Sequence, residues 1–172
     1  VRNKFEKLTD KNILLFGTGE IGERTLENIT SYQFSQVTVI NRTLKKAEAI
    51  AQKYGVEVAP IEDLKTQIQA ADIVMVATGA QTPTLTPSHL NGCANDKLLI
   101  DLSVPRNIAP SVTETNNIEL VDMDKLREVA DKTLSERKKD IPKARTIINL
   151  HKIEFNDWRK MHRLGPTIKE LT

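Results

Sequence analysis

Short apolar runs alternate with amphipathic segments along the first two thirds of the chain. Several of these runs are continuously apolar, which is typical of parallel strands that helices cover on both faces. The runs predict strands at 12–16, 37–40, 56–59, 73–77, 98–102 and 118–121. The segments between them predict helices at 20–31, 44–54 and 62–69. This alternation predicts a doubly wound (Rossmann) α/β domain with a parallel sheet, which we place at residues 10–123.

The pattern changes at residue 124 to helix without strand, so residues 124–172 are predicted to be a long helical segment. Pro142 interrupts the pattern, because an interior proline lacks an N–H donor and clashes with the preceding turn. Either the helix kinks there or a second helix begins with Asp140 as its N-cap. Apolar or partly apolar positions at helical spacing leave a seam that can pack against another surface. The seam consists of Ala130, Leu134, Ile141, Ala144, Ile148, Phe155 and Trp158.

Composition favours a globular protein without an export signal or a membrane span. Of the 172 residues 39% are hydrophobic and 28% charged, and no apolar run approaches the ~20 residues of a spanning helix. The first residues lack the apolar core of a signal peptide. Cys93 is the single cysteine, which excludes an intramolecular disulfide and a multi-cysteine zinc site. We therefore expect a cytoplasmic protein without a metal site.

The two ends of the chain carry separate signals. Residues 1–9 read as the end of a linker helix, with Phe5–Leu8 as its last turn, and we expect the chain to be a piece of a longer protein. The net charge of +2 is too small to indicate nucleic-acid binding, yet residues 124–172 hold 13 Lys+Arg against 8 Asp+Glu. This excess fits either a solvated helix face or contact with a polyanion.

A GxGxxG sequence follows the first predicted strand and opens the first predicted helix. In this position the first glycine permits a tight turn, the second lets the backbone approach a pyrophosphate, and the third allows close helix packing. The N–H groups at the start of the helix then bind the phosphates. A glycine-rich turn without a ligand is the alternative. The residues predicted to bind the cofactor here are Gly17, Thr18, Gly19, Glu20, Ile21 and Gly22.

The end of the second predicted strand indicates which dinucleotide binds. NAD-binding domains usually place a carboxylate there, whereas this chain has Asn41, Arg42 and Thr43, with Lys46 close behind. A guanidinium pairs with a 2′-phosphate and can stack on adenine. We therefore predict NADP as the cofactor, with Arg42 as the main 2′-phosphate ligand and Asn41, Thr43 and Lys46 beside it. Thr43 can also serve as the cap of the following helix.

Two further stretches lie at carboxyl ends of predicted strands, where doubly wound sheets bind ligands. Thr78 and Gly79 follow the fourth strand, and we predict that they line the nicotinamide pocket. Asp101 and Arg106 follow the fifth strand and either organise the loop or touch a substrate.

These motifs together resemble the glutamyl-tRNA reductase family over nearly the whole chain. The resemblance rests on GTGEIG, NRT, ATG and DLSVPRNI in the first two thirds, and on LSERKKDIPKA and EFNDWRKMHRLGPTIKEL in the tail. It implies an oxidoreductase of tetrapyrrole (porphyrin) biosynthesis that uses NADPH to reduce glutamyl-tRNA to glutamate-1-semialdehyde. The chain would then hold the NADPH-binding domain and the start of the C-terminal dimerisation region of a homodimer.

The same resemblance implies that no catalytic residue lies in this chain. The family's nucleophilic cysteine belongs to an N-terminal catalytic domain outside this sequence, and Cys93 has no His-based activation visible nearby. The fragment alone is expected to bind NADPH without reducing glutamyl-tRNA. Two alternatives stay open at this point: the NADP domain of a shikimate dehydrogenase-like enzyme, and a non-catalytic nucleotide-binding or assembly module.

Overall fold

The computed structural model describes residues 4–5, 7–93 and 95–169, with side chains described as far as residue 162. Within these ranges six strands form one parallel sheet in the order β3-β2-β1-β4-β5-β6. The strands are β1 (Asn12–Phe16), β2 (Gln36–Ile40), β3 (Glu57–Ala59), β4 (Ile73–Val76), β5 (Lys97–Asp101) and β6 (Ile118–Val121). The helices are α1 (Glu20–Ile29), α2 (Leu44–Tyr54), α3 (Leu64–Ala70), α4 (Pro87–Leu90) and α5 (Met123–Lys169). The predicted doubly wound fold and the long C-terminal helix are confirmed.

Two apolar clusters, one on each face of the sheet, form the core. Successive side chains of a strand point to opposite faces, so Leu14 and Phe16 enter one cluster while Ile13 and Leu15 enter the other. Because both faces are covered, a central strand needs apolar residues at every position. This requirement explains the continuous apolar runs that the strands have in the sequence.

The strand order places a crevice at the carboxyl ends of β1 and β4. The chain moves outward from β1 to β3 and then returns to the other side of β1, so neighbouring connections leave in opposite directions. In doubly wound sheets this reversal is the ligand-binding position. The backbone N–H of Ala77 donates to the carbonyl oxygen of Phe16 at 2.8 Å, which holds the two strand ends together.

Lys97 departs from the sequence prediction, which began the fifth strand at residue 98. It is the first residue of β5 and is only 2% exposed. Its Nζ donates to the carbonyl oxygens of Gln69 at 2.8 Å and Ala71 at 2.6 Å, at the end of α3. Burial lowers the pKa of Lys97. A charged residue thus takes a core position because it pairs with the last carbonyls of a helix.

The expectation that residues 1–9 form the end of a helix is not met by the described residues of that segment. Lys4, Phe5, Lys7 and the two residues that follow lie in turn and irregular structure. Phe5 packs against one core cluster, and Lys4 pairs with Glu119 of β6 at 3.0 Å. A single helical turn gains too few hydrogen bonds to offset the ordering of its residues, so these tertiary contacts decide the local conformation.

The chain divides into two compact units, residues 1–126 and 127–172. Within the second unit α5 continues through Pro142 as far as Lys169, so of the two predicted alternatives the second helix with Asp140 as its N-cap is excluded. Asp140 instead pairs with Lys143 at 3.4 Å, and the exposed surface lets water satisfy the carbonyl that Pro142 leaves without a donor. No helix in the described ranges is long and apolar enough to cross a membrane.

Candidate dinucleotide-binding site

A cleft of about 220 Å³ opens at the carboxyl ends of β1, β2 and β4. It brings together residues from the glycine turn, from the end of β2 and from the end of β4. Seven of the residues predicted to bind the cofactor line it: Gly17, Thr18, Gly19, Asn41, Arg42, Thr78 and Gly79. Three stretches that are far apart in the sequence therefore share one concave surface.

The glycine turn is closely packed on its inner side and open on its outer side. Gly17 has a φ of +107°, and a Cβ there would lie 2.2 Å from the carbonyl oxygen of Ala77. A Cβ on Gly22 would lie 2.0 Å from the carbonyl oxygen of Gly17, so the first turn of α1 packs directly on the glycine turn. A Cβ on Gly19 would meet nothing within 4 Å. Gly19 is thus the position where a ligand can approach the backbone.

The hydroxyl of Thr18 supports a fit between this turn and a phosphate. Among the side chains that the structure describes, Thr18 Oγ1 is a buried polar atom without a hydrogen-bond partner. Leaving such a group unpaired costs about 1–3 kcal/mol. The adjacent N-cap of α1 is Gly19, which offers no side chain to the first N–H groups of the helix. A phosphate oxygen can accept hydrogen bonds from both sources, as the chemistry of a pyrophosphate requires.

The other predicted residues of the glycine motif belong to the first turn of α1 and do not line the cleft. Glu20 pairs with Arg24 on the exposed surface at 2.8 Å, and Ile21 is 52% exposed. Gly22 is buried beneath the turn. Their predicted contact with the cofactor stays a prediction, as it does for every residue of the predicted set.

The start of α2 offers a second place for an anion, beside Arg42. Asn41 Nδ2 donates to the carbonyl oxygen of Thr43 at 3.2 Å, which shapes the turn after β2. Thr43 is the N-cap residue of α2, but its side chain makes no capping hydrogen bond. The first turn of α2 holds no acidic residue and contains Lys45 and Lys46. Cations at this positive end of the helix dipole are unfavourable, and a bound anion would offset them.

Of this second group only Asn41 and Arg42 line the cleft. Thr43 and Lys46 are exposed and follow Arg42 along the chain. The predicted role of Thr43 as the cap of α2 therefore rests on its backbone position alone, because its hydroxyl does not bond to the helix.

Thr78 is held on the opposite wall of the cleft by two residues of the loop after β5. Its backbone N–H donates to Ser103 Oγ at 3.1 Å, and its hydroxyl donates to Asn107 Oδ1. Asn107 is fully buried, and its Nδ2 donates to the carbonyl oxygens of Ala80 and Pro105, both at 2.9 Å. Sequence reasoning did not single out Ser103 or Asn107. The sequence feature that indicates them is their position as polar residues within the partly apolar stretch DLSVPRNI.

Asp101 organises this loop. Of its two predicted roles, organising the loop or touching a substrate, the structure supports the first. Its carboxylate is 1% exposed and accepts hydrogen bonds from three backbone N–H groups. The donors are Ser103 at 3.0 Å, Asn107 at 2.7 Å and Ile108 at 2.8 Å. These bonds offset the cost of burying the charge.

Arg106 does not line the cleft and also has an organising role. Its guanidinium pairs with Asp122 and Asp124, both at 2.9 Å. The backbone N–H of Lys125 and the Arg106 charge hold the pKa of Asp122 below its ordinary value. Arg106 therefore ties the loop after β5 to the chain at the start of α5.

Cys93 lies outside the cleft. Its side chain is half-buried and packs against one core cluster, and His89 nearby accepts the backbone N–H of Thr86 at 3.2 Å. In the described ranges no group of three or more metal-ligating side chains is present.

Comparisons with known proteins agree with this geometry. The family model for shikimate / quinate 5-dehydrogenase matches residues 1–129. The chain is 43% identical over 167 residues to a glutamyl-tRNA reductase of Christiangramia forsetii, covering 96% of this chain and 40% of that protein. It is 44% identical over 163 residues to one of Flavobacterium psychrophilum, covering 94% of this chain and 39% of that protein. The chain thus spans about two fifths of the length of these curated relatives.

Two solved structures are similar as well. Glutamyl-tRNA reductase from Methanopyrus kandleri superposes with a TM-score of 0.76 at 28% identity, over 83% of this chain and 37% of that one. The nucleotide binding domain of glutamyl-tRNA reductase from Thermoplasma volcanium gives a TM-score of 0.61 at 30% identity. That match covers 74% of this chain and 86% of the domain. The similarity therefore extends over most of a single nucleotide-binding domain.

Proposed function

The chain belongs to the family of the shikimate / quinate 5-dehydrogenase model and to the glutamyl-tRNA reductases, and on this premise we propose that it is the NADPH-binding portion of a glutamyl-tRNA reductase. The whole enzyme would reduce glutamyl-tRNA to glutamate-1-semialdehyde for tetrapyrrole biosynthesis. A shikimate dehydrogenase-like activity is not favoured, since the relatives described above are glutamyl-tRNA reductases.

The observation that carries the proposal is the convergence of the glycine turn, Arg42 and Thr78 on one cleft. We assign the pyrophosphate to the start of α1, where the Thr18 hydroxyl lacks a partner. Arg42 and Lys46 would bind the 2′-phosphate beside the start of α2. Thr78 and Gly79 would then face the nicotinamide ring on the opposite wall, and NADPH supplies the hydride when it is bound.

Two observations support a separation between NADPH binding in this chain and the covalent chemistry elsewhere in the enzyme: the length of the chain and the position of Cys93. The relatives are more than twice as long, and Cys93 packs against the core away from the cleft. We infer that the cysteine nucleophile and most of the glutamyl-tRNA contacts lie elsewhere in the enzyme. The isolated chain then binds NADPH without catalysing the reduction.

The exposed seam on α5 supports a homodimer formed through the C-terminal helix. Leu134, Ile141, Ile148, Phe155 and Trp158 are all exposed. Their helical spacing suits packing against the same helix of a second copy. We also infer a cytoplasmic location, because the proposed substrate is a charged tRNA.

The test is NADPH oxidation by the enzyme that contains this chain, with glutamyl-tRNA and, in parallel, with shikimate. Turnover on glutamyl-tRNA alone, absent from the isolated chain, is the expected result. Turnover on shikimate alone would overturn the proposal and move the chain to the dehydrogenase class. Lack of turnover with both, together with NADPH binding by the chain, would favour a non-catalytic nucleotide-binding module.

A further inference from the structure

We propose that Thr78 selects the carboxamide group of the nicotinamide ring, as a hydrogen-bond acceptor for its NH₂ group, and that Asn107 holds Thr78 in that role. The inference rests on the proposed function, because it assumes that a nicotinamide dinucleotide occupies the cleft. It adds a specificity-determining residue and a positioning residue to that function.

The first step is the orientation of the Asn107 amide, which its surroundings fix. One end of the amide lies 2.9 Å from the carbonyl oxygens of both Ala80 and Pro105. Backbone carbonyls only accept hydrogen bonds, so this end must be the NH₂ group, and both of its hydrogens are used. The Asn107 backbone is fixed as well, because its N–H donates to Asp101 and its carbonyl accepts the N–H of Thr84 at 2.8 Å.

The second step is the state of the Thr78 hydroxyl. The remaining end of the Asn107 amide is its Oδ1, which contacts Thr78 Oγ1 and can only accept. The single hydroxyl proton of Thr78 is therefore donated to Asn107. The lone pairs of Thr78 Oγ1 that are left can accept a hydrogen bond but cannot offer one. The Thr78 backbone N–H also donates to Ser103 Oγ at 3.1 Å, which fixes the backbone position from which this hydroxyl reaches Asn107.

The third step is the match with the ligand. Thr78 lines the cleft and is half-buried, so its hydroxyl can meet a group of the cofactor. A nicotinamide carboxamide has one donor end, its NH₂ group, and one acceptor end, its carbonyl oxygen. An acceptor-only hydroxyl pairs with the donor end and thereby sets the orientation of the carboxamide. A cofactor that lacks the NH₂ group loses this bond, which corresponds to about two- to tenfold weaker binding.

The experiment measures the dissociation constants of four ligands for this chain by isothermal titration calorimetry. The ligands are NADP⁺, its thionicotinamide analogue, its 3-acetylpyridine analogue and 2′,5′-ADP. The thionicotinamide analogue keeps the NH₂ group, whereas the acetylpyridine analogue replaces it with a methyl group. We expect the first to bind about as tightly as NADP⁺ and the second about two- to tenfold more weakly.

Three variants separate this role from a merely structural one. Thr78→Val keeps the shape of the side chain and should bind NADP⁺ and the acetylpyridine analogue equally, with 2′,5′-ADP affinity unchanged. Thr78→Ser keeps the hydroxyl and should restore the discrimination. Asn107→Leu frees the Thr78 hydroxyl to donate, so the preference for the NH₂ group should disappear. The 2′,5′-ADP affinity of each variant reports whether the rest of the cleft is intact.

The outcomes distinguish the inference from the proposed function. Equal binding of NADP⁺ and the acetylpyridine analogue by the unaltered chain would overturn the inference and leave the function standing. Discrimination that persists in Thr78→Val would do the same. If neither NADP⁺ nor 2′,5′-ADP binds the unaltered chain, the proposed function fails, and the inference fails with it.

Discussion

Replacing Arg42 by alanine should weaken NADPH binding far more than NADH binding. Arg42 lines the cleft beside the cationic first turn of α2, is exposed, and has no hydrogen bond or ion pair to the residues that the structure describes. Its removal therefore leaves folding nearly unchanged. A hydrogen bond to a charged group contributes about 1.5–3 kcal/mol, and solvent exposure favours the lower half of that range.

Loss of the 2′-phosphate contact alone then gives about 12- to 40-fold weaker binding of NADPH, since 1.4 kcal/mol corresponds to tenfold. NADH lacks the 2′-phosphate and would lose only the stacking of the guanidinium on adenine, about 0.5–1 kcal/mol or two- to fivefold. The assay is a titration of both cofactors, with Lys65→Ala as the control. Lys65 is an exposed cation in the first turn of α3 and does not line the cleft.

Ionic strength adds an independent readout of the same contact. Charge pairing at an exposed phosphate is screened by salt. For the unaltered chain, the ratio of the NADH to the NADPH dissociation constant should therefore fall, or narrow, between low salt and about 0.5 M. In Arg42→Ala this narrowing should be much smaller. Equal losses for NADPH and NADH in Arg42→Ala would refute the assignment of Arg42 to the 2′-phosphate.

The remaining predictions concern stability, which thermal unfolding without cofactor measures, and in one case NADPH binding, which a titration measures. Gly22→Ala should lower stability by about 1–3 kcal/mol, because its Cβ would meet the carbonyl oxygen of Gly17 at 2.0 Å. Gly19→Ala should leave the melting temperature unchanged and weaken NADPH binding. If Gly19→Ala lowers the melting temperature as Gly22→Ala does, the proposed difference between the two glycines is wrong. Lys97→Met should cost about 1–3 kcal/mol, because two carbonyl oxygens at the end of α3 lose their donor, and an unchanged melting temperature would argue against that role. The lowered pKa of Asp122 stabilises the fold above its unfolded value of 3.8, and this contribution is lost as pH falls through the folded pKa. The stability difference between the unaltered chain and Asp122→Asn should therefore shrink below about pH 4, and a constant difference would refute the reasoning.

The features that could be predicted from the sequence are those encoded by neighbouring residues. A strand buried on both faces needs a continuous apolar run, and the glycine spacing reflects a local turn, so β1 and the start of α1 were predicted closely. The contacts of Asn107 with Thr78 and of Ser103 with Thr78 span 29 and 25 residues, and no local pattern reports them. The sequence does not predict Lys97 in the core, because a buried lysine needs partners and its two carbonyl partners are known only from the structure.

Pro142 shows a position where the local rule left two outcomes open, a kink or the start of a second helix. A proline inside a helix removes one hydrogen bond and strains the preceding turn. On an exposed helix, water can satisfy the freed carbonyl, and the residues on both sides keep their helical hydrogen bonds. The helix α5 accordingly continues through Pro142 instead of dividing there.

The two walls of the cleft differ in how their side chains are held, and this difference suits them to different tasks under the proposed function. On the side proposed for the nicotinamide, Asp101 and Asn107 are buried and use their polar atoms to fix the loop after β5, which holds Thr78. Such a network is rigid, because leaving any one group unpaired in the interior is costly. On the side proposed for the adenosine, Arg42 and Lys46 are exposed and carry charge without fixed partners among the described residues. Under the proposed function, the exposed charges would supply affinity and the choice of phosphate, while the buried network would set the orientation of the nicotinamide ring.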